Sequence, residues 1–145
     1  MSRTPDQIAR AVADHMLANE GTGPAWGIEI EEAREGYARI AMTIRPDMLN
    51  GHRIVHGGMV FALADTAFAY ACNSRNVATV AQSATINFLA PSKAGDVLIA
   101  EASEASLVGR SGVYRISVRT AKGAAIAEFT GLSRSIGGKV IDEAN

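Results

Sequence analysis

"VHGGMVFALADTAFAYACNS", residues Val55 to Ser74, is the stretch that decides the fold of this 145-residue chain. Two glycines open it, and alanine, leucine, methionine and phenylalanine fill its body, which predicts a helix over about residues 57–74. Because this helix is apolar on every face, it must be enclosed by protein rather than lie on a surface. One ionisable residue, Asp65, lies near its centre, where a charge would be costly in a membrane span.

The segments around this helix predict a second helix and six strands. "TPDQ", residues 4–7, has the form of a capping box with proline at the first helical position, and it predicts a helix over about residues 5–20. Between Ile28 and Ile44 apolar residues recur at every second position, which predicts two strands joined by a short turn, and a loop composition follows over residues 45–55. Four further strands are predicted at about Ala78–Leu89, Val97–Leu107, Gly112–Ala121 and Ala124–Ile136.

These elements predict a single α+β domain over residues 1–145. An antiparallel sheet hides a helix that is apolar all round only by curling about it, because a flat sheet covers one side. The expected architecture is therefore a curved antiparallel β-sheet wrapped around one long central helix. Such a sheet has edges, and its tyrosine, isoleucine and valine residues leave little room for a fully polar outer face, so association with a second copy is expected. The tail over about residues 137–145 is predicted to be flexible.

Composition and charge exclude several classes of function. Fourteen Lys and Arg residues against fifteen Asp and Glu residues leave a net charge of -1, which provides no broad basic surface for nucleic acid. The N-terminus has no secretory signal pattern, and the single cysteine, Cys72, cannot form an internal disulfide, so we expect a cytoplasmic protein without a membrane association. The three histidines lack a metal-ligand pattern, and no metal or cofactor is expected.

The start of the central helix is a candidate binding site for a negative charge. The first turn of a helix presents unpaired backbone N–H groups and roughly half a positive charge, which favours an anion or a polarised carbonyl oxygen. Gly57 and Gly58 carry no side chains there, so a ligand can approach their amides closely and use them as an oxyanion hole. The alternative is that the two glycines only let a strand and the helix pack tightly.

Asp65 is the sharper signal in this segment. Burying an unpaired carboxylate costs several kcal/mol, so a protein keeps one only if it is hydrogen-bonded, paired or facing a cavity. No Lys or Arg lies within a helical turn of it, since the nearest in sequence are Arg53 and Arg75. Two interpretations remain open: a structural aspartate satisfied by backbone amides, and a functional carboxylate that faces a site.

Helix geometry decides how Asp65 and Gly57 can cooperate. They are eight positions apart, which spans roughly 12 Å of helix and is too far for both to act on one carbonyl group. In a two-fold dimer with antiparallel helices, Gly57 of one chain can face Asp65 of the partner subunit, which gives two identical sites. Activity would then require the dimer.

The chain resembles a known family at this point. "NGHRIVHGGMVFALADTAFAYACNS", together with "FLAPSKAGDVLIAEA" downstream, strongly resembles the hotdog-fold acyl-CoA thioesterases of the PaaI type, the phenylacetyl-CoA thioesterases of aromatic degradation. The resemblance implies that the amide of Gly57 polarises the thioester carbonyl and that Asp65 of the other subunit acts as general base or nucleophile. It also implies that Asn50 and His56 lie beside the oxyanion end and that Ser83 lies next to the aspartate.

The resemblance further implies a homotetramer that hydrolyses phenylacetyl-CoA or hydroxyphenylacetyl-CoA-like thioesters to free acid and CoA. Lys93, in the turn "PSKAG", and Arg110, between Gly109 and Ser111 in "VGRSG", are candidates for binding the CoA phosphates, because such turns offer free amides beside a basic side chain. Solvated turn charges are the alternative for both.

Three other functions stay open at this point. The first is a noncatalytic acyl-CoA-binding or sensor module on the same fold. The second is a hotdog hydratase or dehydratase, which acts on the acyl chain rather than on the thioester. The third is a structural protein whose Asp65 is satisfied by its own backbone.

Overall fold

Three helices and six strands make up residues 2–143, the part of the chain that the computed structural model describes. A short 3-10 turn, Pro46–Met48, precedes the central helix. In chain order the helices and strands are α1 (Pro5–Asn19), α2 (Thr22–Trp26), β1 (Glu29–Arg34), β2 (Tyr37–Thr43), α3 (Gly57–Cys72), β3 (Thr79–Phe88), β4 (Val97–Val108), β5 (Ser111–Thr120) and β6 (Ala125–Ser135).

The six strands form one antiparallel sheet in the order β1-β2-β4-β5-β6-β3. The predicted strands all occur, and their ends differ from the expected ones by a few residues at most. Since β3 follows the helix α3 and joins the sheet beside β6, it forms one edge, while β1 forms the other. The α+β class and the antiparallel sheet packed against one long helix are confirmed.

Helix α3 packs one face against the inner face of the sheet. The ring of Phe68 lies 5.5 Å from the ring of Tyr114 and 5.9 Å from that of Phe129. Each large side chain buried in this way contributes about 1.5–3 kcal/mol, so the contact between helix and sheet is the main core of the domain. Most buried residues of the helix recur at three- and four-residue spacing, and the full set is Val60, Leu63, Ala64, Ala67, Phe68, Tyr70 and Ala71.

The C-terminal end of α3 is fastened to the strand that follows it. The helix ends at Cys72, two residues earlier than predicted, because Asn73 caps it. The Asn73 side-chain amide donates to the carbonyl oxygens of Ala69 at 2.9 Å and Thr79 at 3.1 Å, and its oxygen accepts from the Thr79 N–H at 2.9 Å. The direction of β3 is therefore set by the end of the helix.

The sheet leaves one stripe of α3 uncovered on the single chain. We define the open stripe as the half-buried residues that recur along this side of the helix, Phe61, Ala62, Asp65, Thr66, Ala69 and Cys72. The neighbouring edge strand β3 is also uncovered: two of its ten residues are half-buried and the rest are exposed. The expected wrapping therefore holds for most of the helix, and the open stripe with the β3 edge is the surface that needs a second covering layer.

The outer face of the sheet is more polar than the sequence suggested. Tyr114, Ile116 and Val118 of β5 all point into the core and are at most 1% exposed. On the outer face, Arg119 pairs with Glu101 of β4 at 3.1 Å. Strand alternation sends these apolar residues of β5 inward, while the half-buried Ile99, which pairs with Arg119, keeps the outer face from being fully polar.

Two short elements were not predicted from the sequence. Gly21, Gly23 and Pro24 read as helix breakers, yet the five residues of α2 form a single helical turn that ends at Gly27 with a left-handed φ of 67°. The 3-10 turn Pro46–Met48 lies in the segment assigned to a loop. The predicted capping box of α1 is present: Thr4 and Gln7 exchange hydrogen bonds of 2.9 and 3.2 Å, and the helix ends at Asn19.

The C-terminal tail lies against the chain after α3. Asn76, with a φ of 61°, accepts from the N–H groups of Val140 and Ile141 at 2.9 Å and donates to the Ile141 carbonyl at 2.9 Å. The Ala78 N–H also donates to the carbonyl of Gly138 at 3.0 Å. The flexibility expected for residues 137–145 stays a prediction, and residues 144 and 145 lie outside the described residues.

Replacing Gly131 with alanine is expected to lower the free energy of unfolding by about 1–3 kcal/mol, the usual cost of overpacking a core. An added Cβ would lie 2.6 Å from Cε2 of the enclosed Phe68 ring. Gly21→Ala is the matched control, since nothing lies within 4 Å of its added Cβ, and it should change stability by less than about 0.5 kcal/mol. Urea titration measures both, and equal midpoints would contradict the tight packing.

Candidate active site

The first turn of α3 leaves one backbone amide free. His56 is the N-cap, and its Nδ1 accepts from the Gly58 N–H at 2.8 Å. The His56 carbonyl accepts from Met59 at 2.9 Å and from Val60 at 3.3 Å. Within the described part of the chain, the Gly57 N–H is therefore the one amide of this turn without an acceptor. The expectation that both glycine amides face a ligand is wrong for Gly58, whose N–H is occupied by the cap.

Gly57 opens onto an apolar cavity of about 390 Å³. A Cβ on Gly57 would lie 3.1 Å from the Phe88 ring, so the ring rests almost directly on the backbone of the free amide. Phe88 is 56% exposed and lines the cavity together with Val60, Leu89 and Ile126. A carbonyl group bound at the Gly57 N–H would thus have an apolar chamber beside it.

Asn50 lies in the same cavity and shapes the loop before the helix. Its side-chain oxygen accepts from the backbone N–H groups of His52 at 2.9 Å and Ile54 at 3.4 Å. Two donors of this kind fix which side-chain atom is the oxygen, so the Asn50 amide nitrogen is on the other side. That nitrogen makes no hydrogen bond within residues 2–143, and it is a second donor available next to Gly57.

Asp65 lies on the open stripe with no partner from its own chain. Its carboxylate makes no hydrogen bond or ion pair among the described residues, and burial alone raises its pKa. No described side-chain oxygen or nitrogen is fully buried without a partner, so the Asp65 oxygens reach the surface of the single chain. The interpretation that backbone amides satisfy this carboxylate is not supported, and the carboxylate faces outward from the helix.

One chain brings together only half of the predicted site. Asn50, His56 and Gly57 meet at the start of α3, while Asp65 lies two turns further along the same continuous helix. The separation of eight positions between Gly57 and Asp65 corresponds to roughly 12 Å of helix rise. The two halves cannot act on the same atom within one chain.

Ser83 lies on the other face of β3 from the one expected. Ala81 pairs with the buried Ser133, so it belongs to the inner face. In a regular strand Ser83, two residues later, would point to the same face. A register shift between Ala81 and Ser83 inserts one extra residue, so Ser83 instead pairs with the half-exposed Leu132 on the outer face. Nothing in the sequence marks the bulge, and the placement of Ser83 next to Asp65 stays a prediction.

The predicted CoA-binding residues lie at opposite ends of α3. Lys93 lies near the Gly57 end, in a cavity of about 410 Å³ that shares part of its wall with the Gly57 cavity, and it pairs with Asp96 at 3.5 Å. Arg110 lines a cavity of about 110 Å³ with Cys72 at the far end of the helix.

The turn around Arg110 is built by its two neighbours. Gly109 has a left-handed φ of 59°, and Ser111 begins β5 opposite Val108. The sixteen residues of α3 between the Arg110 end and the Lys93 end span roughly 24 Å, so the two cations cannot hold the same phosphate in one chain.

Other chemistries find little support at this site. Burial raises the pKa of the Cys72 thiol to about 12, so this thiol is protonated at neutral pH and is no nucleophile. Among residues 2–143, no three His, Cys, Asp or Glu side chains are grouped so that they could hold a metal ion. None of the described helices has the length and hydropathy needed to cross a membrane.

The sequence matches the thioesterase superfamily over residues 52–127. The chain is 46% identical over 132 residues to the acyl-coenzyme A thioesterase PaaI of Escherichia coli K12, covering 91% of this chain and 94% of that protein. The structure of E. coli PaaI, from the phenylacetic acid degradation operon, superposes with a TM-score of 0.92 at 43% identity and covers 94% of this chain and 99% of that chain. A mutant of the phenylacetic acid degradation protein PaaI of Thermus thermophilus, 35% identical, gives a TM-score of 0.77 over 81% of this chain and all of that chain.

Asp65→Asn is expected to raise the melting temperature at pH 7. Burial raises the pKa of Asp65 above its ordinary 3.8, so the folded protein holds more protons than the unfolded chain between pH 3.8 and the raised pKa. Stability therefore falls as the pH rises through that window, because the buried carboxylate has to ionise. The neutral amide avoids this cost, and the gain should shrink as the pH is lowered towards 3.8.

Asp96→Asn is the matched control, and its melting temperature is expected to change in the opposite direction. The backbone N–H of Lys93 and the Ser92 hydroxyl donate to Asp96 and lower the pKa of its carboxyl below 3.8. This carboxylate stabilises the fold above pH 3.8, so its amide variant should melt lower at pH 7, and the loss should vanish as the pH falls through the lowered pKa. Calorimetric scans between pH 3 and 8 compare both, and a lower melting temperature for Asp65→Asn would refute the account of that residue.

Proposed function

Because the chain belongs to the thioesterase superfamily and is an acyl-CoA thioesterase of the PaaI type with the hotdog fold, we propose that it hydrolyses aromatic acyl-CoA thioesters at sites shared between two subunits. The products are the free acid and CoA. The observation that carries this proposal is that the Gly57 N–H and the Asp65 carboxylate both lack a partner among the described residues of their own chain and lie two turns apart on one helix.

The proposed dimer joins two open stripes across a two-fold axis. With the α3 helices antiparallel, Gly57 of each chain faces the partner's Asp65, and the β3 edges meet beside them. This arrangement covers the open stripe and the exposed edge strand that the single chain leaves uncovered. It yields two identical sites. The homotetramer implied by the sequence resemblance is proposed as a pair of such dimers.

The reaction needs hydrogen-bond donors for the thioester oxygen and a carboxylate that acts as base or nucleophile. The Gly57 N–H and the Asn50 side-chain amide donate to the thioester oxygen, and the positive end of the helix stabilises the negative charge that develops there. The partner's Asp65 either removes a proton from the attacking water or attacks the carbonyl carbon itself. The C–S bond then breaks, and the thiolate of CoA leaves and takes up a proton. Where Asp65 itself has attacked, a water molecule then hydrolyses the acyl–aspartate anhydride, which releases the free acid and restores the carboxylate.

The elevated pKa of Asp65 suits the role of base. A carboxylate that is partly withdrawn from water is a stronger base than one in solution, and no cation in its own chain weakens it. The dimer withdraws it further from water. The rate is therefore expected to rise with pH through a pKa above 3.8.

The acyl group is proposed to occupy the apolar cavity beside Gly57. Its wall includes the exposed ring of Phe88, against which an aromatic acyl group can pack edge to face or offset. The relation of E. coli PaaI to the phenylacetic acid degradation operon supports an arylacetyl group of this kind. Arg110 is proposed to meet the CoA phosphates from the subunit that supplies Asp65, because the antiparallel pairing brings that end of α3 towards the other chain's Gly57.

Gly57→Pro is expected to lower kcat by at least ~100-fold, because proline removes the single free amide of the oxyanion hole. The first position of a helix tolerates proline, and the backbone of His56, with φ -65° and ψ 134°, is compatible with a following proline. Gly57→Ala is the matched control, since it adds the same Cβ next to Phe88 but keeps the N–H. Thiol release from phenylacetyl-CoA measures both, and equal losses in the two variants would argue against the amide.

Mixing two inactive variants tests the shared site. Gly57→Pro and Asp65→Asn each disable both sites of a homodimer, but their mixed dimer keeps one site with an intact Gly57 and an intact Asp65. Random exchange makes half the dimers mixed, so about one quarter of the wild-type activity should return. A mixture of Gly57→Pro with the double variant offers no intact site and is the control. No recovery, with mixed dimers detected by mass spectrometry, would refute the interface site.

A panel of arylacetyl-, benzoyl- and alkyl-CoA thioesters, followed with a thiol-trapping dye, tests the reaction itself. Arylacetyl thioesters are expected to give the highest kcat/KM, and Asp65→Asn is expected to bind them but to lose at least ~100-fold in turnover. Binding without thiol release in the wild type would instead indicate a sensor module. An enoyl product without free thiol would indicate a hydratase or dehydratase.

A further inference from the structure

Histidine is an unusual residue for capping the helix that carries the proposed oxyanion hole. Serine, threonine, aspartate and asparagine are the side chains that most often accept from the first-turn amides of a helix. Here the Nδ1 of His56 takes that position and accepts from the Gly58 N–H at 2.8 Å. An Nδ1 that accepts carries no proton, so this contact holds the ring as the neutral tautomer with its proton on Nε2.

The cap determines which amide remains for a ligand. Without it, the adjacent N–H groups of Gly57 and Gly58 would both be free, and an oxygen atom could settle between them or on either one. With it, only Gly57 is free within the described structure. The cavity with Phe88 and Asn50 lies at Gly57, so the cap directs the carbonyl to the amide that faces the apolar chamber.

The charge of the capping side chain matters at this location. An aspartate would cap equally well and would also favour the helix dipole. Its negative charge would, however, lie one residue from the amide at which the thioester oxygen becomes negative, and like charges a few ångströms apart in a partly buried site repel strongly. A neutral imidazole completes the same hydrogen bond without this repulsion.

Gly58 is fitted to the same arrangement. A Cβ on Gly58 would lie 2.9 Å from Nδ1 and 3.1 Å from Cε1 of His56. The imidazole therefore rests against the bare backbone of Gly58, and the second glycine of the pair makes room for the cap rather than for the substrate.

We propose that His56 is a positioning residue, a neutral helix cap that occupies the Gly58 N–H and so confines the oxyanion to the Gly57 N–H. This inference deepens the proposed thioesterase function and rests on it. It assigns different roles to the two glycines of the pair: Gly57 supplies the donor, and Gly58 accommodates the cap.

Four variants of His56 in the whole protein test the proposal, each assayed for melting temperature and for thiol release from phenylacetyl-CoA. His56→Asn and His56→Ser keep a neutral cap, and both should stay within a few degrees and ~3-fold in kcat of the wild type. His56→Asp should melt at or above the wild-type temperature yet lose at least ~10-fold in kcat, with a smaller change in KM. His56→Ala should lose both stability and activity.

The separation of stability from activity in His56→Asp is the decisive result, because a purely structural cap would not show it. Unchanged kcat in that variant would overturn the proposal. So would losses in His56→Asn and His56→Ser as large as in His56→Asp, since the ring itself would then contact the substrate. If the wild type releases no thiol from any thioester, the proposed function fails, and equal melting temperatures for the alanine and asparagine variants would then overturn the cap separately.

Discussion

The rest of the structure depends on one constraint, which is that helix α3 is too apolar to face water and its own sheet covers it only in part. The buried face packs on the sheet through the rings of Phe68 and Phe129, while His56 caps the start of the helix and Asn73 caps its end. The uncovered side is the open stripe, and the edge strand β3 runs beside it with most of its residues exposed. The part of the fold that is unfinished in one chain is thus the part that holds Asp65 of the proposed site, and a second copy would complete both at once.

The sequence predicted the elements well because their signals are local. The capping box before α1, the alternation of the strands and the apolar run of α3 each follow from neighbouring residues, and the structure has all of them. The Gly57 amide and the unpaired Asp65 could also be found in this way, since one is a helix end and the other a charge in an apolar run. The outcomes that differ depend on details that a sequence pattern does not encode, one in the pairing of two strands and one in the orientation of a single side chain. The bulge before Ser83 turns that side chain outward, and the ring of His56 takes the N–H expected of Gly58.

The site illustrates a conflict between stability and activity. A carboxylate without a partner in a half-buried position costs stability at neutral pH, and the same lack of a partner keeps Asp65 basic. Other carboxylates of the chain show the opposite solution: Glu104 is paired with Arg75 and accepts from Tyr114, and these contacts lower its pKa. The fold therefore has the means to satisfy acidic groups near the same helix, and it leaves Asp65 alone on the side that the proposed partner would cover.

In the proposed dimer, the spacing of Gly57 and Asp65 also determines where the symmetry axis passes. If Gly57 faces the partner's Asp65 and the reverse holds on the other side, the two-fold axis crosses the helices at their midpoint, which is Phe61. This side chain is half-buried and packs edge-on against Phe129, with ring centroids 5.2 Å apart, so it is already held in place for a contact with its symmetry mate. In this antiparallel pair, Asp65 of one helix lies beside Gly57 of the other. The Cys72 end of the first helix then extends roughly 10 Å past that point. Arg110 lines the cavity at that end. One subunit would therefore supply the amide and the acyl cavity, and the other would supply the carboxylate and the cation for the CoA phosphates.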